Sequence, residues 1–442
     1  MKVTRIDTVR LDEFPNILFT RVFTDEGIVG LGETFYGARA VEAYVHETVA
    51  PYLIGKDPLE IDRHARNLYG YVGYRSSGVE MRGNSAIDIA LWDLFGKATG
   101  QPLYQLLGGK TRDSIRIYNT CAGYRYVRSQ PRQAVENWGI GSEVSQQPYE
   151  DLDAFLTRAD ELAISLLEQG VTGMKIWPFD PYAEQSDGHY ISAPNLDRAL
   201  EPFRKIRNAV GNAMDIMVEF HSLWDFPMAR LICAELEPFK PSWFEDPVKA
   251  DNIDVLAELA QSTRIPIAAS ESLATRWSFR EVLERRAAGI VMVDLSWAGG
   301  ISEARKIAQL AEVYQRPVMF HDCTGPVVLA ASTHLSMNAP NALIQETVRA
   351  FYSGWYRELV TSLPHIDGGL IFPPAGPGHG IELLPELTSR EDAHVMVSDD
   401  PSQTWAVIGQ VKALENGSTN RSAVNATDGQ ETTVIDVARE GG

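Results

Sequence analysis

Six polar residues, each closing a short apolar run, recur through the middle of this chain at nearly equal intervals. Glu219 closes IMVE, Glu245 closes SWFE, Glu271 closes IAASE, Asp294 closes IVMVD, His321 closes VMFH and Glu346 closes LIQE. The steps between them are 26, 26, 23, 27 and 25 residues. One strand-plus-helix unit of a closed barrel takes about that length, since eight such units span about 250 residues. Equal steps therefore put the six groups at equivalent places, the C-terminal ends of neighbouring strands, where they converge on one mouth of the barrel. A single carboxylate at a strand end is as often a solvated end as part of a site. Six in succession, each behind an apolar strand, are hard to attribute to chance.

The surrounding sequence has the same texture. After Arg112 come IRIYNT, MKIW, MDIMVEF, IPIAASE, IVMVDLSW, RPVMFHD and ALIQETV, short and rich in β-branched residues. Helical patterns separate them, as in ISEARKIAQLAEVYQ, where Ala304, Ile307, Ala308 and Ala311 keep one face apolar. Strand–helix alternation implies a parallel sheet, and the repeat count fits an α/β, (β/α)8-type TIM barrel. Before it, the first 35 or so residues alternate in strand fashion, with a turn at Asp25-Glu26-Gly27. Residues 38–110 read as helical, with a stripe of Ile87, Leu91, Leu94 and Phe95 closed by Gly100-Gln-Pro. Past residue 355 the loop-rich DGGLIFPPAGPGHGIELLPE is expected to pack back on the N-terminal region, and the polar stretch from Asn416 to read as a mobile tail.

Composition sets outer bounds. The chain has 442 residues, about two domains, with 44% hydrophobic and 22% charged residues. A net charge of −19 argues against nucleic acid and anionic membrane as partners. No apolar run approaches the ~18 residues of a membrane span, and MKVTRIDTVRLDEF has no secretory apolar core. Cys121, Cys233 and Cys323 are scattered and odd in number, which suits a reducing cytoplasm, and no CxxC pair offers a thiolate zinc site.

Three glutamates gathered at one mouth repel one another and raise each other's pKa values. Hard oxygen ligands with no cysteine among them indicate Mg²⁺, or Mn²⁺, rather than zinc or copper. Three glutamates give −3, Mg²⁺ gives +2 and Lys175 of MKIW gives +1, so an anionic substrate meets a nearly neutral site. Lys175 either only neutralises the cluster or also contacts the substrate.

These residues resemble a known family. SAIDIALWDLFGKATGQPLYQLLGG, the ladder Glu219, Glu245-Asp246-Pro247 and Glu271, the pair Asp294 and His321, and the terminal GPGHGIEL are similar to the mandelate racemase branch of the enolase superfamily, and the resemblance spans nearly the whole chain except the tail. It implies a capping domain from residues 1–112, a barrel over 113–355 bearing one Mg²⁺, and a C-terminal segment 356–413 completing the cap, leaving 414–442 as the tail. It further implies Glu219, Glu245 and Glu271 as metal ligands and His321 as the base, kept basic by Asp294. Glu346 would be a hydrogen-bonding acid beside the substrate carboxylate. Enolase-type sites pair a Lys or His base with Mg²⁺ holding an ene-diolate.

One departure redirects the reaction. Racemases of this family carry Lys-x-Lys on the second barrel strand, the second lysine being the opposite-face base. Here Lys175-Ile176-Trp177 puts a tryptophan there, which takes no proton. Glu219 and His221 stand two apart and are expected to share a strand face. Such a Glu-x-His pair is similar to that of the family's sugar-acid dehydratases, whose histidine protonates a leaving hydroxyl. Trp177, Tyr36 and Arg75, with Phe35, are candidates to line the pocket, although Trp177, Trp243 and Trp297 also suit plain barrel packing. The 121–150 stretch is long for a strand-to-helix loop and reads as a substrate lid or an oligomer contact.

The expected activity is dehydration of a sugar acid, an aldonate, to a 2-keto-3-deoxy acid by a cytoplasmic homo-oligomeric hydro-lyase whose partner is that small molecule. An epimerase, racemase or cycloisomerase on a related acid uses the same groups. A Schiff-base lyase through Lys175 and a non-catalytic barrel are the other classes to separate. Metal-dependent hydrolysis is disfavoured because IRIYNT lacks His-x-His.

Overall fold

A computed structural model describes residues 1–70, 77–128, 130–131 and 149–400, and the backbone of 406–407. Arg75, most of the 121–150 stretch and the 414–442 tail lie outside the described residues.

The N-terminal alternation folds as a meander of β1 (Val3–Leu11), β2 (Ile17–Thr24) and β3 (Val29–Phe35), antiparallel throughout. The turn between β2 and β3 uses Gly27 at φ 76°. The helix Val79–Thr99 lies against β3 and stops at Gly100, whose φ of 66° ends it in the left-handed conformation common to helix C-termini. Of its apolar stripe, Ile87, Leu91 and Leu94 are buried, while Phe95 is half-buried.

Helix and sheet approach closely because β3 carries glycine on the contact face. A Cβ at Gly32 would lie 1.9 Å from the Ala86 carbonyl oxygen, and one at Gly30 would lie 2.0 Å from that of Ala90. Both are backbone atoms and cannot rotate aside. Gly32→Ala is expected to destabilise the protein by about 1–3 kcal/mol through overpacking, measured as a lower urea midpoint with an unchanged slope. A midpoint equal to the parent's would mean that the helix is free to move off the sheet.

The barrel follows. Its eight strands are β4 (Ile115–Thr120), β5 (Gly173–Ile176), β6 (Asp215–Glu219), β7 (Trp243–Glu245), β8 (Ile267–Ala269), β9 (Ile290–Val293), β10 (Val318–Phe320) and β11 (Ala342–Thr347). Every neighbour pairs in parallel, and β11 closes on β4 through Glu346 opposite Tyr118. The barrel interior is layered by the two-residue period of a strand. An apolar plug of Tyr118, Met217, Trp243, Met292, Met319 and Ile344 fills one level. Two residues further along each strand direction stand Thr120, Glu219, Glu245, Asp294, His321 and Glu346. The ladder, Glu271 apart, is thus the polar layer on top of the plug, and the plug separates it from the opposite end.

The C-terminal segment divides. β12 (His365–Asp367) and β13 (Leu370–Phe372) form a hairpin whose second strand pairs antiparallel with β4, so LIF joins the barrel rather than the N-terminal region. The following GPGHG does reach the long helix, where the His379 amide donates to Asp93. β14 (Ala393–Ser398) then pairs antiparallel with β1, and β15 (Ala406–Val407) with β14, making one five-stranded capping sheet. Among the described residues no helix is long and apolar enough to cross a membrane.

Candidate active site

The ends of β5, β6, β7 and β11 bring four charged groups into contact. Lys175 Nζ lies 2.5 Å from Glu245 Oε1, 2.8 Å from Glu346 Oε1 and 3.2 Å from Glu219 Oε2. All four side chains are almost fully buried. Glu219 Oε1 accepts from the amides of Phe220 and His221, and Glu245 Oε2 accepts from the Trp243 indole. Glu346 accepts from the Thr120 hydroxyl and from the Asp322 amide.

Glu271 sits two residues past the end of β8. One carboxylate oxygen each from Glu219, Glu245 and Glu271 lie within 4.8 Å of one another. The local charge balance bears on whether a cation fits. Burial pushes Glu219 up to about 7 against the pull of Lys175. It pushes Glu245 well above the carboxylate range, and Glu219 adds to this. Burial would also strip Lys175 of its proton, but Glu245 and Glu346 outweigh it and hold the ammonium well above its ordinary value. One ammonium is thus shared among carboxylates that are partly forced towards neutrality. A small dication ligated by Glu219, Glu245 and Glu271 fits this oxygen-only, charge-deficient cluster.

His321 stands past the end of β10, its Nδ1 2.6 Å from Asp294 Oδ2 and its Nε2 2.9 Å from Glu271 Oε2. Asp294 is fixed in turn by the Ser296 amide and hydroxyl on its Oδ1, at 2.7 and 2.6 Å. Burial opposes a charged His321, yet Glu271 and Glu346 raise its pKa well above the usual value. Burial likewise opposes an ionised Glu271, and His321 nevertheless holds it down to about 2. The Trp297 ring lies 5.5 Å from that of His321 and stacks on Tyr36 at 5.8 Å, with its indole N–H on the Phe35 carbonyl.

His221 is not on the strand face it was expected to share with Glu219. β6 ends at Glu219, and His221 occupies the turn beyond it at φ 49°, in the left-handed region. It nevertheless borders the same cavity, because its ring packs on Trp177 and reaches the Tyr126 hydroxyl at 3.2 Å. Trp177 is fully buried, and its indole N–H has no hydrogen-bond partner among the described residues.

A cavity of about 350 Å³ collects these groups: Lys175, Glu219, Glu271, His321, His221, Trp177 and Tyr36 all line it. That is the size of a small-molecule site. Glu245, Asp294 and Glu346 stand behind this wall rather than in it. Phe35 belongs to the core instead of the cavity. Among the lining residues that escaped the sequence reading are Tyr126 and Arg82, and Asp246 entered it only as part of a motif. Arg82, on the long helix of the cap, lies over the Trp297 ring at 5.3 Å and spends one donor on Ser77. Only its place on a helix beside the barrel hinted at it.

Comparison with known proteins gives a consistent picture. Residues 158–387 match the family described as enolase C-terminal domain-like, and residues 8–108 the mandelate racemase / muconate lactonizing enzyme N-terminal domain. A D-galactonate dehydratase of Pectobacterium atrosepticum is 35% identical over 88% of this chain and 93% of its own length. One of Ralstonia pickettii is 34% identical over 87% and 92%. Among solved structures, an enolase of the mandelate racemase subgroup from Agrobacterium tumefaciens is 53% identical, with a TM-score of 0.80 over 91% of this chain and all of that one. An enolase protein from Sargasso Sea environmental sequence is 42% identical, with a TM-score of 0.80 over 90% and 99%.

Proposed function

Because this chain belongs to the mandelate racemase / muconate lactonizing enzyme branch of the enolase superfamily, we propose that it is a hydro-lyase that dehydrates a sugar acid, an aldonate, to the 2-keto-3-deoxy acid. One observation carries this reading. Two histidines just past the ends of β6 and β10, the third and seventh of eight strands, border one cavity beside a cluster of three carboxylates, and a tryptophan stands where a second base would be needed. Two proton carriers and one elimination fit together; a two-base racemisation lacks its lysine. Relatives that match nearly end to end bear the name D-galactonate dehydratase, which supports the same class.

The chain's own groups divide the work. Glu219, Glu245 and Glu271 would hold Mg²⁺, or Mn²⁺, which when bound supplies electrophilic stabilisation to the substrate carboxylate as charge builds on it. Lys175 offsets the remaining glutamate charge. His321 takes the proton from C2, with Asp294 keeping the imidazole oriented and favouring its charged form. Glu346, bonded to Lys175 behind the cavity wall, would have to turn towards the cavity to hydrogen-bond the carboxylate end. His221 gives a proton to the C3 hydroxyl as the C–O bond breaks, so that water leaves and the enol rearranges to the ketone. Trp177 and Tyr36 wall the cavity.

The test is a panel of aldonic and aldaric acids, D-galactonate first, incubated with Mg²⁺ and assayed for keto acid. Exchange of the C2 hydrogen with deuterated water without keto acid on any member would instead make the chain an epimerase. Arg82 gives a second expectation. It lines the cavity with a guanidinium that suits substrate oxygen, and a hydrogen bond from a charged group contributes about 1.5–3 kcal/mol. Arg82→Met should therefore raise KM by about 10- to 100-fold while kcat changes little. An unchanged KM would remove Arg82 from the binding surface.

A further inference from the structure

His221 is held on three sides. Its Nδ1 lies 2.7 Å from Asp180 Oδ2, its Nε2 lies 3.2 Å from the Tyr126 hydroxyl, and its ring stands edge-on to Trp177 with centroids 5.6 Å apart. Asp180 begins the short helix Asp180–Glu184 that follows β5, and it is fully buried. Its second oxygen, Oδ1, has no hydrogen-bond partner among the described residues. No arginine, lysine or backbone amide among them bonds its carboxylate; His221 is the group it meets. Burying a carboxylate so poorly satisfied is costly, and its place in the first turn of a five-residue helix offsets little of that cost. Such a group is kept for what it does to its partner.

The same geometry recurs across the cavity. His321 presents Nδ1 to Asp294 Oδ2 at 2.6 Å, and His221 presents Nδ1 to Asp180 Oδ2 at 2.7 Å. The site thus holds two His–Asp pairs rather than one, the second assembled from the helix after β5 and the turn after β6. We propose that Asp180 is the positioning residue of His221: by accepting from Nδ1–H it fixes the ring and its tautomer, so that Nε2, on the Tyr126 side, is the nitrogen that carries the proton to the leaving hydroxyl. Asp180 touches no substrate; it acts through His221. The kinetic consequence rests on the dehydratase reading, whereas the hydrogen bond does not.

The hydrogen bond is read first, by proton–nitrogen NMR of the histidine side chains in the full chain. The expected result is a downfield Nδ1 proton that disappears in both Asp180→Asn and His221→Asn. Its absence from the parent protein, or its persistence in Asp180→Asn, overturns the proposal whether or not the protein dehydrates anything. Kinetics with D-galactonate come second. Asp180→Asn should keep C2 hydrogen exchange within about threefold, with KM little changed, yet form keto acid about 10²-fold more slowly. The 3-deoxy-3-fluoro analogue, whose leaving group needs no proton, should recover most of that loss. Adding Asp180→Asn to His221→Asn should cost nothing further, as groups that act as a unit are non-additive. Asp180→Glu, which retains an acceptor, should restore part of the rate and serves if the Asn variant does not fold. Equal loss of exchange and elimination, or additive losses, would make Asp180 merely structural. A parent protein that forms no keto acid from any sugar acid sinks the dehydratase reading and leaves the NMR result standing.

Discussion

His321→Asn should lose the ~10²–10⁴ in rate that a positioned general base supplies, and with it the exchange of the substrate's C2 hydrogen with deuterated water. The expectation follows from the setting of the ring. Asp294 holds Nδ1 at 2.6 Å and is itself pinned by Ser296, so Nε2, which meets the cavity-lining Glu271 at 2.9 Å, is the nitrogen on the cavity side. Asparagine keeps a polar group of similar size there but cannot accept and hold a proton. Asp294→Asn should be damaged too, since the amide reverses the hydrogen-bond preference at Nδ1. Undiminished exchange in His321→Asn would move the base elsewhere, to Lys175 first among the groups that line the cavity beside the cluster.

Glu245→Gln should be equally severe, for a different reason. Glu245 touches Lys175 and completes the three-oxygen cluster with Glu219 and Glu271. Neutralising it should weaken Mg²⁺ binding at least about 100-fold, more than loss of an outer partner of a metal ligand causes, and abolish turnover. A second readout does not depend on catalysis. A ligand held at 100 times its dissociation constant stabilises the folded chain by about 2.7 kcal/mol. The melting temperature of the parent should therefore rise with Mg²⁺, while those of Glu219→Gln, Glu245→Gln and Glu271→Gln should not. Full activity in excess EDTA would end the metal reading altogether.

The ladder was legible because two regular periods coincide in it. The length of a strand-helix unit sets the steps from Glu219 to Glu346, and the two-residue strand period puts five of the six above a plug residue, as Met217 lies below Glu219 and Trp243 below Glu245, while Glu271 falls outside it. Neither period reaches beyond the strands, and there the reading weakens. His221 was placed on a strand face that ends two residues before it. It arrives at the cavity through a left-handed turn held by Asp180 and Tyr126, contacts that cross 41 and 95 residues. Arg82 and the split of the C-terminal segment between barrel and cap likewise depend on which surfaces meet, and a sequence pattern records only which face of an element is apolar.

The capping sheet has a consequence for synthesis. β1 finds β2 at once, but its other edge pairs with Ala393–Ser398, so that Ile6 ends opposite Ser398. At 5–20 residues per second, the N-terminal strand waits about 20–80 s for that partner to be made. Through that interval the ribosome carries a chain with one open strand edge, the kind of surface that recruits foreign strands. The capping sheet is completed last, after every barrel strand has been translated, so assembly of the cap reports that the whole barrel is already present.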